Sequence, residues 1–443
     1  MWMAAPDASF RRQFERWGDL VKVTNPLVGD EVVVNHPALI KEIFTGDPDV
    51  FHAGAANRLL GPVVGQSVLT LDGPRHKRQR KLLLPPFHGK RLAVYAETME
   101  AITARVIATW PQGEPMSLLP SMQRITLDVI LETVFGVRHE DQLDELRTRL
   151  MAMMDRAQSP LGMLRMLPAL QRDLPFTGWR SMRERIEAAD EVIFRIIREA
   201  RDARDDARDD ILAMLLSAVD EDGEPMSDRE LRDELVTLLL AGHETTATAL
   251  CWAFEEILRR PEVLRRLRDE MDSASDPLCH GKLPYLDATI KEVLRLRPIV
   301  PMVMRKLQAP IQLGGYDVPA GTFVVPCIYN AQRHPDCWDE PESFRPERFL
   351  DATIDPFAWL PFGGGARRCI GMTFALYEMR VVLATILSRL ELRPGHHTPK
   401  VALRSFTFAP KGGARVTVRG PRRVRRQGSS DTNKPSTSST LPV

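Results

Sequence analysis

The stretch PFGGGARRCIG, residues 361–371, sets one cysteine behind three glycines and two arginines. The segment after it, MTFALYEMRVVLATILSRL, has apolar residues at helical spacing, so Cys369 sits just ahead of a helix or within its first turn. Unpaired backbone N–H groups and the positive end of a helix dipole lower a thiol's pKa there, and the thiolate is the form that binds metal. The glycines would let backbone lie close to something flat and large, and Arg367 could reach an anion. A phosphate cradle fits less well, because GGGARRC lacks the Gly-Lys-Ser/Thr ending of a P-loop. On this stretch alone, a buried structural cysteine is the rival reading.

A second place breaks its own pattern. LLLAGHETTATALCWAF is almost wholly apolar and belongs inside a domain, yet it carries Gly242, Glu244, Thr245 and Thr246. A mid-helix glycine costs about 1 kcal/mol relative to alanine, and an acid in a core costs more unless partnered. Violations of this kind in a long buried helix mark function. The fragment HETTA is not a zinc site, because H-E-x-x-H needs a second histidine and position 247 is Ala.

Both pieces need a scaffold, and most of the middle of the chain reads as helix. Helices are expected over 90–110, 121–135, 141–155, 179–218 with breaks, 227–260 and 284–297. Ser227 and Glu230 form a capping box at the start of the helix that holds Glu244, which then runs about nine turns to Pro261. Strand signals are fewer, in VVVNHP, IQLGGYDVPAGTFVVP and RSFTFAPKGGARVTVR. No linker-like stretch interrupts the chain before its end, so residues 1–420 read as a single mainly α domain with small antiparallel sheets. Residues 421–443, basic and then Ser/Thr-rich, cannot build a core and are expected to be a disordered tail.

Bulk properties remove other classes. With Lys+Arg 60 against Asp+Glu 59, the 443-residue chain has no polyelectrolyte character for nucleic acid. Its five cysteines are odd in number and form no CxxC pair, against a zinc ribbon or a disulfide framework. The N-terminal stretch is charged from Asp7 onward and has no apolar run long enough for a signal or a transmembrane anchor, so a cytoplasmic protein is expected.

Four motifs in order then resemble the cytochromes P-450. The run Phe362 to Gly371 is similar to that family's haem loop, F-x-x-G-x-R-x-C-x-G. AGHETT, residues 241–246, resembles its oxygen-activation motif, EVLR, residues 292–295, its E-x-x-R helix, and the segment ending in PERF, residues 346–349, its meander. The resemblance implies haem b between the long central helix and the cysteine-loop helix, with Cys369 thiolate as the axial metal ligand. Phe362, Gly363 and Gly371 would shape the loop, and N–H groups near Ile370 and Gly371 would stabilise the sulfur's charge. Arg367, His76, Arg80 and Arg305 become propionate contacts, and Glu292, Arg295 and Arg348 a supporting ion cluster. Glu292 and Arg295, three apart, share a helix face. Glu244 and Thr245 would lie over the iron as the acid and alcohol that order proton delivery, in a helix opened near Ala241–Gly242. The implied reaction inserts one oxygen atom from O2 into a C–H bond or an alkene.

The chain has no flavin or ferredoxin module, so the resemblance implies a separate electron donor. An acidic ferredoxin or flavodoxin with its NAD(P)H reductase is expected, docking on Arg368, Lys77, Arg78 and Lys81 of a chain that acts as a monomer. Two alternatives stand beside this: a peroxide-driven peroxygenase, usually marked by loss of the acid–alcohol pair, and a haem-thiolate gas or redox sensor, which has no use for that pair. The expected pocket lining is lipophilic, with Leu59, Leu60, Leu240, Ala241, Val300, Val303 and Phe406. Met153, Met154, Met163 and Met166 fall where the family keeps a mobile lid, and methionine adapts to variable shapes. An apolar substrate is expected: a fatty acid, a terpene or a steroid-like molecule.

Overall fold

The capping box at Ser227 is formed: its hydroxyl accepts the Glu230 N–H at 3.2 Å, and the Glu230 carboxylate accepts the Ser227 N–H at 2.9 Å. Two donors that a helix N-terminus leaves unpaired are thus satisfied together. The central helix Asp228–Leu258 follows without a break, and most of it is buried. It packs on Leu119–Thr133, Met372–Arg389 and Pro284–Leu296, so the two unusual sequence stretches meet in one core. Gly242 has a packing reason, since a Cβ there would stand 3.1 Å from Ile130 Cδ1 on Leu119–Thr133.

This computed structural model describes residues 6–25, 29–87, 94–137, 139–158, 170–171, 178–203, 208–274, 283–350 and 353–422. Helices Val94–Ile107, Glu140–Gln158, Trp179–Ala203, Ile211–Ser217 and Pro284–Leu296 fall where periodicity put them. Residues 90–93, the expected start of the first of these, lie outside the described set. A basic helix, Gly73–Leu83, comes from GPRHKRQRKLL, where proline and glycine open a run of good helix formers.

A five-stranded sheet lies at the margin in the order Leu20–Asn25, Gly29–Val34, Phe323–Pro326, Arg305–Leu307 and Phe51–His52. Its pairings are antiparallel except Gly29–Val34 with Phe323–Pro326, which runs parallel. Arg305 sits opposite Val324 in this sheet, and its guanidinium lies over the Phe44 ring, 5.5 Å from the centroid. Smaller sheets join Pro115–Ser117, Arg415–Pro421 and Leu390–Pro394, and pair Val401–Arg404 with Thr407–Pro410. The last strand reaches Pro421, and Arg422 N–H donates to Arg389 O at 2.8 Å. The remainder of the expected tail, 423–443, lies outside the described residues.

Candidate active site

The cysteine loop is closed by its own backbone: Cys369 N–H donates to Phe362 O at 2.9 Å, and Gly363 N–H to Leu360 O at 2.9 Å. Gly363 and Gly365 have φ of +66° and +63°, a left-handed geometry open to glycine. Gly365 has a second constraint, since a Cβ would fall 1.7 Å from the carbonyl oxygen of Phe44. Phe362 stacks edge-on against Trp359 at 6.0 Å, and Gly371 caps the helix Met372–Arg389. The Gly371 N–H bonds to the Cys369 sulfur, as the loop's position implies. The thiol nevertheless titrates above its ordinary value rather than below it. The side chain is exposed, and desolvation by the protein around it works against the Gly371 N–H, Arg80 and Arg368, which all favour thiolate.

Beside the loop, four residues from three separate parts of the chain converge. His76 is buried and its Nε2 has no hydrogen-bond partner. Burial, then the charges of Arg367 and Arg80, push it down to about 4 against the pull of Asp72, with Arg305 adding to the lowering. Arg305, 8% exposed, is pushed down to about 10 by burial and by Arg367. Arg80 donates to Arg368 O at 2.7 Å. Arg367 donates to Val68 O at 3.1 Å and Leu71 O at 2.7 Å and pairs with Asp72. Three guanidinium groups, one buried and two half-buried, and a neutral imidazole thus gather around one carboxylate, an excess of positive charge that calls for an anion. Asp72 was not read from the sequence; its carboxylate also accepts Gly54 N–H at 2.8 Å and Ala55 N–H at 2.7 Å.

On the central helix, the Thr245 hydroxyl donates to Ala241 O at 2.5 Å. The helix is continuous at Ala241–Gly242, so the expected opening is not a break in it. Glu244 is buried, and its two oxygens meet different partners: Gln123 Nε2 at 2.8 Å and Arg404 Nε at 3.2 Å. His243 is pinned by Thr126, whose Oγ1 lies 3.0 Å from His243 Nδ1, and Thr246 faces the packed side.

A family model described as Cytochrome P450 matches residues 10–414. The chain belongs to the cytochrome P450 family. It is 42% identical over 417 residues to cytochrome P450 135B1 of Mycobacterium tuberculosis, covering 92% of this chain and 86% of that one. It is 38% identical over 413 residues to cytochrome P450 138 of the same species, covering 92% and 90%. Among solved structures, a retinoic acid-bound cyanobacterial CYP120A1 superposes with TM-score 0.78 at 26% identity over 93% of each chain. A cytochrome P450DA heme domain gives 0.80 at 26% identity, over 94% of this chain and 92% of the other.

This cytochrome P450 is therefore a monooxygenase that works with haem, and its residues fit that cofactor. The unpartnered Nε2 of buried His76 and the surplus of cations suit propionates, and a Cβ on Gly363 or Gly371 would meet nothing within 4 Å. Gly365→Ala is the sharpest check on the loop: with Phe44 O in the way and a left-handed φ, it is expected to give soluble protein with little or no haem. A haem-to-protein absorbance ratio equal to the parent's would show that the loop can move aside.

Behind the P450 loop, Glu292 and Arg295 are both fully buried and joined by two bonds, Nε to Oε2 at 2.7 Å and Nη2 to Oε1 at 2.8 Å. Arg348 is a looser third member, with its Nε 3.6 Å from Glu292 Oε1. Arg295 Nη1 donates to Gln332 O at 3.1 Å, and Gln332 Oε1 accepts the Leu360 N–H at 2.8 Å, which ties the cluster to the start of the cysteine loop.

Two sequence expectations need correction. Arg78 is engaged by Asp220, Glu230 and Pro225 O, and Lys81 by Glu221, because the acidic loop around Asp220 folds back over the basic helix. Of the four cations expected to dock a partner, Arg78 and Lys81 are thus ion-paired, and Lys77 and Arg368 are exposed. Met153 and Met154 are core residues of Glu140–Gln158, while Met163 and Met166 lie outside the described residues. Of the expected pocket residues, Leu59 and Phe406 are exposed, Ala241 is open, and Leu60 and Val300 are half-buried. Leu240 belongs to the main core, and Val303 packs into the cluster under the five-stranded sheet.

Proposed function

We propose that this P450 oxidises an apolar substrate at haem b, with Cys369 as axial ligand and His76, Arg80, Arg305 and Arg367 toward the propionates. The observation that carries the reading is the placement of Thr245 and Glu244 on a central helix that packs on the cysteine-loop helix. Bound haem would supply oxygen activation, and thiolate ligation favours O–O cleavage. Thr245 donates its proton to Ala241 O, so its own oxygen is left to accept a hydrogen bond from a water in the pocket. Glu244 has a partner at each oxygen, so a proton reaches it by release of Gln123 or Arg404. Arg404, on a partly exposed hairpin, is the side of the acid nearer to solvent.

Electrons would come from a small acidic carrier, a ferredoxin or flavodoxin with its NAD(P)H reductase, meeting a monomer at Lys77 and Arg368. An apolar substrate is supported by Leu59, Leu60, Ala241, Val300 and Phe406, and by the structural relative whose bound ligand is retinoic acid. Spectral titration against fatty acids, terpenes and steroids tests this, and tight binding of polar compounds alone would overturn it.

Thr245→Ala should leave haem content and substrate-induced spectral shifts unchanged while diverting reducing equivalents to hydrogen peroxide. Product formed per NADPH consumed is expected to fall on the order of tenfold or more, the lower end of what a positioned proton-transfer group contributes. Thr246→Ala should couple like the parent, because Thr246 points about 100° away on the helix, into the packed side. If Thr246→Ala uncouples and Thr245→Ala does not, the assignment is reversed. If neither does, and hydrogen peroxide alone sustains turnover, a peroxygenase is the better reading; no turnover under either condition favours a sensor.

A further inference from the structure

Glu234 lies near the start of the central helix, almost two turns before Ala241, and plays no part in the oxygen chemistry above. It is fully buried, with Oε1 accepting the Val68 N–H at 2.9 Å and Oε2 lacking a hydrogen-bond partner. The other side of that Val68 peptide group region, the Val68 carbonyl, accepts Arg367 Nη1 at 3.1 Å. Among the described residues, the hydrogen-bond partners of the Arg367 guanidinium, Val68 O, Leu71 O and Asp72, come from this one short segment. The segment is anchored on the central helix by Glu234, by Asp233, which accepts Gln66 N–H at 2.8 Å, and by Arg232, which donates to Val63 O at 2.9 Å. Among these anchors, Glu234 grips the residue that Arg367 itself touches.

We infer that Glu234 is a positioning residue for the cofactor: through Val68 it fixes where Arg367 presents its remaining donors to a haem propionate. The inference rests on Arg367 as a propionate contact. Supporting chemistry comes from the acid's own state. Burial, with the like charges of Asp233 and Glu230, pushes Glu234 up to about 8 against the pull of Val68 N–H, so it is a neutral acid at pH 7. A neutral acceptor holds the Val68 peptide without adding a negative charge that would compete with propionate for Arg367. Its isostere is glutamine, which offers the same acceptor and the same neutrality.

The test uses holoprotein of the parent, Glu234→Gln, Glu234→Leu, Arg367→Lys and the Glu234→Leu/Arg367→Lys pair. Haem transfer to apomyoglobin and the haem reduction potential are measured for each. Glu234→Leu is expected to release haem about tenfold faster and to shift the potential, in line with other residues that orient a metal group's ligands. Glu234→Gln should match the parent in both. In the pair, Glu234→Leu should add nothing to Arg367→Lys, because its effect travels through that guanidinium. A Glu234→Leu protein that is less heat-stable but keeps the parent's haem-loss rate and potential would overturn the inference. So would effects that multiply in the pair. If Arg367→Lys itself leaves haem loss unchanged, the propionate assignment fails instead, which is a separable result.

Discussion

Glu292→Ala is expected to abolish recovery of haem-loaded protein, whereas Arg348→Ala should lower it only in part. Glu292 holds both donor sides of Arg295, and neither residue is exposed to solvent, so its removal strands a buried guanidinium. Breaking a buried pair in this way costs about 3–5 kcal/mol, out of a total stability of about 5–15 kcal/mol for a typical domain. The damage also has a direction. Glu292 accepts the Arg345 N–H at 2.8 Å, and Arg295 donates to Gln332 O, Pro341 O and Ser343 O, so the pair holds the meander as well as its own helix. Gln332 carries the connection to Leu360, whose carbonyl closes the turn at Gly363. Arg348 is less critical, because among the described residues its Nε makes no hydrogen bond and its Nη2 donates to a single backbone carbonyl, Glu340 O, at 2.9 Å. The measurement is the haem-to-protein absorbance ratio with the thermal midpoint of whatever folds. A normal ratio for Glu292→Ala would show that the cluster is dispensable, and equal losses in both variants would show that Arg348 is as tightly coupled as Arg295.

What could be read in the sequence follows the range of the forces involved. The cysteine loop was legible because its constraints are local: Gly365 must be glycine for its φ, and Cys369 must precede a helix. The clash with Phe44 O was not legible, since Phe44 lies more than 300 residues upstream by the numbering. Gly242 read as a functional anomaly and turned out to be, at least in its packing, the place where Ile130 comes close. The ion pairs of Arg78 and Lys81 were not legible for the same reason, because their partners Asp220 and Glu221 lie about 140 residues downstream. Asp72 and Glu234 were missed because an isolated acid has no periodicity, and only the fold shows which N–H groups it accepts. For the thiol, the helix terminus and the cations were legible, whereas desolvation, which belongs to the packed state, was not.

Cys369→His is expected to keep haem and lose monooxygenase turnover to background. Retention follows from geometry, because His76, Arg80, Arg305 and Arg367 would hold the propionate side independently of the ligand, and the loop backbone bond from residue 369 to Phe362 O does not need the thiol. Loss of function follows from charge. Desolvation opposes the free thiolate, so a Cys369 thiolate bound to haem would depend on the iron together with the Gly371 N–H, Arg80 and Arg368. A neutral imidazole gains nothing from those three groups and pushes no comparable electron density toward the iron, which is the property that favours O–O cleavage. Two measurements follow directly. The reduced carbon monoxide difference spectrum should lose the red-shifted band that marks thiolate ligation, and the reduction potential should rise, as it does when a neutral ligand replaces an anionic one. Substrate-induced perturbation of the haem spectrum should persist, since Leu59, Ala241 and Phe406 are untouched. A Cys369→His protein that kept the red-shifted band would place the axial ligand elsewhere, on a chain whose other described cysteines are Cys251 and Cys327, both buried with thiols pushed up to about 12, and Cys337 on the meander.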